Sequence, residues 1–150
     1  MLNKIKPYNP LSDYNKAINT LQKNNIRPTK QRMILAKLLF EKGRRHFSAE
    51  ELYDEVKKDD RKISLATIYN TLKQFSQIGL IREIVVDQNK SLYCTNNESH
   101  YHLYIEDEGK IVDIPTQNID LNIPSIPACL KLHNIDVIVR IRTLKDKIIN

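Results

Sequence analysis

The sequence contains little cysteine and no long apolar run. Its two cysteines, Cys94 and Cys129, do not form a CxxC pair, so a secreted disulfide scaffold is disfavoured and a reducing cytosol fits better. No segment reaches the roughly 18 unbroken apolar residues that a membrane span needs. The first residues also lack the apolar core of a secretory signal. We therefore expect a cytoplasmic protein with no membrane partner.

Acidic residues are scarce in one part of the chain only. Of the 24 lysines and arginines, 18 lie in residues 1–90, which hold 10 of the 18 acidic residues. Residues 91–150 hold the other 6 basic and 8 acidic side chains. A basic half beside a mildly acidic half suggests that one half alone meets a polyanion. An ordinary solvated basic surface is the alternative, and charge alone does not distinguish the two.

The basic half has the pattern of several helices followed by a hairpin. Apolar residues at helical spacing predict helices at about 13–24 and 29–40, the second capped by Thr29. Ser48-Ala-Glu-Glu51 is a capping box that opens a short helix. Ser64 caps a further helix from Leu65 to Ile78, and two strand-like runs at 80–86 and 91–94 then flank a polar turn. This order is typical of a winged helix-turn-helix domain.

The helix that begins at Leu65 lies where a recognition helix belongs. Its inward stripe of apolar residues comprises Leu65, Ile68, Leu72 and Phe75. At 100° per residue, the opposite face carries small or polar side chains that suit base edges and phosphates, namely Ala66, Thr67, Asn70, Lys73 and Gln74. Tyr69 falls between the two faces, so periodicity leaves it open as a core or a contact residue. Simple solvent exposure is the alternative for the outer face.

The second half has a different composition. Residues 101–105 and 110–114 predict short strands, a helical turn is allowed near Ile119, and residues 135–141 form a β-branched strand. This unit is too small for a large core of its own, so dimerisation would supply the missing burial. We predict an α+β protein with a winged-helix DNA-binding domain at 1–90, including a loose arm at 1–11, and a small α/β dimerisation domain at 91–150.

Taken in order, the motifs of the chain resemble those of the ferric uptake regulator family of bacterial metal-responsive repressors. The likeness is greatest to its iron response regulator and peroxide-sensing branches. Five segments carry it: Arg27-Pro-Thr-Lys-Gln-Arg32, His46-Phe-Ser-Ala-Glu-Glu-Leu-Tyr53, Ser64-Leu-Ala-Thr-Ile-Tyr-Asn-Thr-Leu72, His100-Tyr-His102 and Gly109-Lys-Ile-Val-Asp113.

The resemblance implies a homodimer that binds palindromic AT-rich operator DNA. It also implies that Tyr69 contacts a base, with Thr67 and Lys73 beside it and Lys90 at the wing tip. We assign four further residues to the DNA-binding surface: Arg27, Lys30, Arg32 and Asn70.

The predicted sensing site is built on His100 and His102. Two residues apart on a strand, both imidazoles project from one face and suit a first-row metal, although surface exposure is the alternative. The resemblance adds His46 and Asp113, and it implies one divalent Fe, Mn or Zn ion per subunit at a hinge site that tunes DNA affinity. Cys94 stands where related members carry an acidic ligand, so it is either a soft ligand or a small buried residue. Haem remains an alternative effector, and a structural zinc held by four cysteines is not expected.

Two other functions are compatible with parts of this pattern. One is a small metalloenzyme that uses His100, His102 and Asp113. No acid–base pair or nucleophile–base motif accompanies those ligands, so we do not expect an enzyme. The other is a winged-helix module that binds protein, whose partner affinity would not depend on Tyr69 and Lys73.

Overall fold

The computed structural model describes residues 9–144, which form two compact units that divide between Asn97 and Glu98. The sequence suggested a boundary after residue 90. The structure places the division later because the second strand of the hairpin continues to Cys94. Residues 1–8 of the predicted arm and residues 145–150 at the end of the chain lie outside the described residues. The first helix already begins at Pro10, so the arm is shorter than predicted.

Four helices form most of the first unit: α1 (Pro10–Lys23), α2 (Lys30–Glu41), α3 (Ala49–Lys58) and α4 (Leu65–Gln77). The starts of α2, α3 and α4 follow from the predicted caps, whereas α1 begins earlier than predicted and is capped by Asn9. Thr29 and Ser64 each accept a hydrogen bond from a backbone N–H three residues later. Ser48 and Glu51 make both hydrogen bonds of the capping box, at 3.1 and 2.7 Å. The helix starts are therefore encoded locally.

A small antiparallel sheet completes the first unit. It comprises β1 (His46–Phe47), β2 (Arg82–Asp87) and β3 (Lys90–Cys94), in the order β1-β3-β2. The predicted hairpin is confirmed, and its turn contracts to two residues because Asp87 pairs with Lys90. Strand β1 was not predicted, since two residues are too few to show a period of two.

The core of the first unit fixes the orientation of α4. Ile68, Leu72 and Phe75 are completely buried, as the inward stripe predicted, and Leu65 is half-buried. Gly79 follows the helix with φ of 72°, a conformation that lets the chain turn away from the helix end. Because three large side chains hold one face in the core, the opposite face of α4 must point to solvent.

The second unit contains a three-stranded sheet with the order β5-β4-β6. Strand β4 (His100–Ile105) pairs antiparallel with β5 (Lys110–Pro115) and parallel with β6 (Ile138–Ile141). The predicted turn near Ile119 is a 3₁₀ helix at Thr116–Asn118, and residues 119–137 contain no helix or strand. The predicted last strand is shorter than expected. The α+β class is confirmed, and no helix within residues 9–144 has the length and apolar character needed to cross a bilayer.

Candidate functional site

The outer face of α4 is the most prominent polar surface of the first unit. Ala66, Asn70 and Lys73 are exposed, whereas Thr67 is half-buried and shares a 2.8 Å hydrogen bond with Ser64. Tyr69, which periodicity left open, has 43% of its surface exposed. It is therefore a surface side chain, and its place on α4 suits a contact with a ligand.

A cleft of about 700 Å³ separates α4 from the hairpin. Tyr69, Asn70 and Lys73 line it from the helix, and Lys90 lines it from the hairpin. Tyr93 contributes its buried ring from β3. Burial first, and then the nearby charge of Glu83, raises the pKa of Tyr93 to about 12, so this phenol stays neutral. Amide and ammonium donors around an aromatic ring are groups that contact phosphates and base edges.

Glu50, in the first turn of α3, is part of the same cleft and was not among the predicted site residues. The hydroxyl of Tyr69 donates a hydrogen bond to its carboxylate. This hydrogen bond raises the pKa of Tyr69, and partial burial and the negative charge of Glu50 add to the effect. Sequence periodicity gives no signal for such a contact, because it joins residues on two different helices that are 19 positions apart in sequence.

The three basic residues predicted around the start of α2 have different surroundings. The Arg32 guanidinium donates two hydrogen bonds to the Gln74 amide oxygen, at 3.2 and 3.0 Å, and one to the Arg27 carbonyl at 2.8 Å. Arg32 therefore joins α2 to α4 and helps to orient the helix. Lys30 and Arg27 are exposed, and Lys30 lines a separate groove that includes Lys37. Contact of these residues with DNA stays a prediction.

In the second unit, strands β4 and β5 bring together His100, His102 and Asp113, which we call the β4–β5 cluster. The Nε2 atoms of the two histidines lie 2.9 Å apart. The Asp113 carboxylate lies 3.3 Å from His100 Nε2 and 3.6 Å from His102 Nε2. The register explains the grouping, because His102 is directly opposite Asp113 on the neighbouring strand.

The protonation of His100 suits a ligand. Its Nδ1 lies 2.6 Å from the Glu98 carbonyl oxygen, which only accepts hydrogen bonds. In the neutral imidazole Nδ1 therefore carries the proton, and the lone pair on Nε2 faces His102 and Asp113. A backbone acceptor behind a metal-ligating imidazole commonly fixes its tautomer in this way. Two imidazoles and one carboxylate form a donor set that fits a first-row divalent metal.

In the first unit, His46 and Cys94 are cross-strand partners on β1 and β3. We call them the β1–β3 pair. Cys94 is completely buried, and its sulfur lies within 4.8 Å of a ring nitrogen of His46. Beside the pair, the Arg45 backbone N–H donates to the Thr95 hydroxyl at 2.9 Å, and the Thr95 backbone N–H donates to the Arg45 carbonyl at 3.1 Å. An imidazole and a thiol at this separation can bind one soft or borderline metal.

Known proteins resemble this chain in sequence. The sequence model of the ferric uptake regulator family matches residues 23–140. The peroxide-responsive repressor PerR of Staphylococcus saprophyticus is 36% identical over 104 residues, which are 69% of this chain and 70% of that protein. PerR of Staphylococcus aureus strain Mu50 is 37% identical over 97 residues, 65% of each chain.

A solved structure gives the same fold. The ferric uptake regulator from Pseudomonas aeruginosa with manganese matches with a TM-score of 0.64 at 20% identity. The match covers 85% of this chain and 97% of that one. At this level of identity the likeness supports the predicted α+β architecture and nothing finer.

Proposed function

Because this chain belongs to the ferric uptake regulator family of metal-responsive transcription regulators, we propose that it is a cytoplasmic repressor that binds palindromic AT-rich operator DNA as a homodimer. A divalent metal tunes that binding. The signal is iron, haem or peroxide, and the names of the staphylococcal relatives favour peroxide.

The exposed outer face of α4 is the observation that carries this proposal. It presents Tyr69, Asn70 and Lys73 beside a hairpin whose tip supplies Lys90, all around one cleft. A helix of this kind enters the major groove, where its side chains contact base edges and phosphates. In the proposed complex Tyr69 contacts a base, Asn70 and Thr67 hydrogen-bond to bases or backbone, and the two lysines neutralise phosphates.

A second copy of the chain is the proposed partner of the second unit. Several large apolar side chains there are more than two-fifths exposed: Val112, Leu121, Ile123, Ile126, Leu130 and Leu132. A run of exposed apolar residues is costly in water, and a small unit gains the missing burial by association. The two-fold symmetry of such a dimer would match a palindromic operator.

The proposed metal ion takes its ligands from the β4–β5 cluster and the β1–β3 pair: His46, Cys94, His100, His102 and Asp113. When bound, the metal supplies Lewis acidity, and iron also supplies redox chemistry towards peroxide. The chain's own residues determine which metal is held. Thiolate from Cys94 in place of a carboxylate shifts the preference from manganese towards zinc or ferrous iron. In the proposed function, metal binding tunes DNA affinity through a coupling free energy between the metal site and the DNA-binding surface.

Operator binding by the full-length protein tests this proposal. Fluorescence anisotropy would compare a labelled palindromic AT-rich duplex with a duplex of the same composition and scrambled sequence. Metal-free, manganese, ferrous and haem-loaded protein would be measured side by side, at several salt concentrations. We expect a salt-sensitive preference for the palindrome that changes with at least one metal. Equal affinity for both duplexes in every state would refute the proposal.

A pair of variants separates DNA binding from a protein-binding module. Replacing Tyr69 and Lys73 by alanine should weaken operator binding by about 1–3 kcal/mol per lost base contact. Asp54→Asn on α3 is a matched surface control, because that side chain pairs with Lys57 and does not line the cleft.

A further inference from the structure

Tyr69 is held in place by a contact that the DNA-binding proposal does not require. Its side chain lies on the exposed boundary of α4, and its hydroxyl donates a hydrogen bond to Glu50 in the first turn of α3. Glu50 is anchored by a well-formed helix start, since the capping box of Ser48 and Glu51 flanks it. The backbone that carries the acceptor is therefore fixed in position, and the hydrogen bond restricts which rotamers the Tyr69 side chain adopts on the helix surface.

The sign of the charge at Glu50 makes the contact informative. Glu50 lines the cleft together with Lys73 and Lys90, on the surface that is proposed to meet a polyanion. A carboxylate there repels phosphate and lowers affinity for every DNA sequence. An unfavourable charge at an interface calls for a compensating role, and within residues 9–144 the Glu50 carboxylate is hydrogen-bonded to Tyr69.

We propose that Glu50 is a positioning residue that sets operator specificity by holding Tyr69 in its base-contacting orientation, an inference that rests on the proposed function. The hydrogen bond restricts the Tyr69 side chain before DNA binds. Formation of the complex therefore loses less side-chain conformational entropy. Ordering a mobile side chain at an interface weakens affinity by about three- to tenfold. The effect is confined to the specific complex, because a non-specific complex does not use the ring.

The charge and the acceptor function of Glu50 can be separated by substitution. Glu50→Gln removes the charge and keeps an oxygen that accepts the tyrosine hydrogen bond. Glu50→Ala removes both. Tyr69→Phe removes the donor and leaves the carboxylate. Glu41→Gln is the matched charge control, because it lies at the far end of α2, about 16 Å along the helix from Lys30. That distance exceeds the screening length of about 10 Å at 0.1 M salt.

The measurement is the affinity ratio between a palindromic AT-rich duplex and its scrambled counterpart, for full-length protein in whichever metal state binds the palindrome more tightly. We expect Glu50→Ala to lower this ratio by about tenfold and Glu50→Gln to keep it within about twofold of wild type. Both variants should bind the scrambled duplex about three- to eightfold more tightly, unlike Glu41→Gln. In the Tyr69→Phe background, Glu50→Ala should leave the ratio nearly unchanged.

Three outcomes would overturn the inference while wild-type protein still prefers the palindrome. The first is an unchanged ratio in Glu50→Ala. The second is an equal loss in Glu50→Gln, which would show that the hydrogen-bond acceptor is not what matters. The third is a loss of the same size in the Tyr69→Phe background, which would show that Glu50 acts through another group. If wild-type protein shows no preference, the proposed function itself fails and the inference falls with it. Unfolding midpoints confirm that each variant is folded.

Discussion

Replacing Lys73 by glutamine should change the salt dependence of operator binding by an amount that the structure sets. Four cationic side chains of the first unit are exposed and assigned to DNA: Arg27, Lys30, Lys73 and Lys90. Arg32 is left out because its guanidinium is hydrogen-bonded to Gln74 and to a backbone carbonyl. A dimer then offers eight phosphate contacts, and a plot of log affinity against log salt should have a slope of about −7.

Lys73→Gln removes two of those contacts per dimer, so the slope should become about −5.4. Raising the salt from about 50 to about 200 mM would weaken wild-type binding by about 20,000-fold and the variant by about 2,000-fold. The deficit of the variant should thus shrink tenfold over this range. Anisotropy titrations at four salt concentrations measure both slopes. Lys110→Gln is the control, because that lysine lies in the second unit and pairs with Glu108 at 2.8 Å.

An unchanged slope together with an unchanged affinity in Lys73→Gln would refute the assignment of Lys73 to a phosphate, and with it the placement of α4 against the duplex. A parallel loss of affinity at every salt concentration would indicate a neutral contact instead. The slope distinguishes a charged contact from a neutral one, because only neutralisation of a phosphate charge releases counterions from DNA.

Three further predictions concern stability and the metal. Glu55→Gln should lower the free energy of unfolding by about 1–2 kcal/mol, because the Arg45 guanidinium loses a charged partner at 2.6 and 3.1 Å. Burial alone would raise the pKa of Glu55, but Arg45 and Lys42 lower it overall. The difference in unfolding free energy between wild type and Glu55→Gln, measured in urea, should therefore reach its full size above pH 4.5 and shrink as the pH falls below it. Ser48→Ala should cost about 1 kcal/mol through the lost cap, measured by thermal unfolding, with Ser99→Ala in the second unit as a control. Cys94→Asp should abolish the thiolate-to-cobalt absorption of Co²⁺-loaded protein and weaken Zn²⁺ relative to Mn²⁺, whereas an identical spectrum in the variant would make Cys94 structural.

The sequence was sufficient where a structural signal is local. Helices α2, α3 and α4 begin at the predicted caps because each cap satisfies a backbone donor three residues later. The buried face of α4 followed from spacing alone, because three apolar side chains at intervals of three and four must share one side of a helix. The hairpin followed from two strand-like runs that flank a short polar turn.

The parts that sequence did not predict depend on contacts between distant segments. Strand β1 has two residues and exists because β3 supplies its hydrogen-bonding partner. Arg32 has the kind of side chain that commonly contacts DNA, yet its guanidinium donates hydrogen bonds to the Gln74 side chain, 42 residues away in sequence. In the sequence, Glu50 is one of the two residues between Ser48 and Glu51 of the capping box, and only the tertiary structure brings Tyr69 on α4 next to it. Residue type gives the chemistry of a side chain, and only tertiary structure gives its partner.

These long-range contacts also connect the proposed metal ligand of the first unit to the proposed base reader. His46 follows Arg45 in the chain, and Arg45 forms a two-pronged pair with Glu55 on α3. The opposite end of α3 carries Glu50, which holds Tyr69 on α4. A displacement of β1 on metal binding would therefore reach Tyr69 through one helix and two charged contacts. Contiguity of this kind transmits an effect only if the metal-bound and metal-free states differ at β1. If the proposed ligation moves His46, we therefore expect part of the coupling between metal and DNA to pass through Glu55 and Glu50.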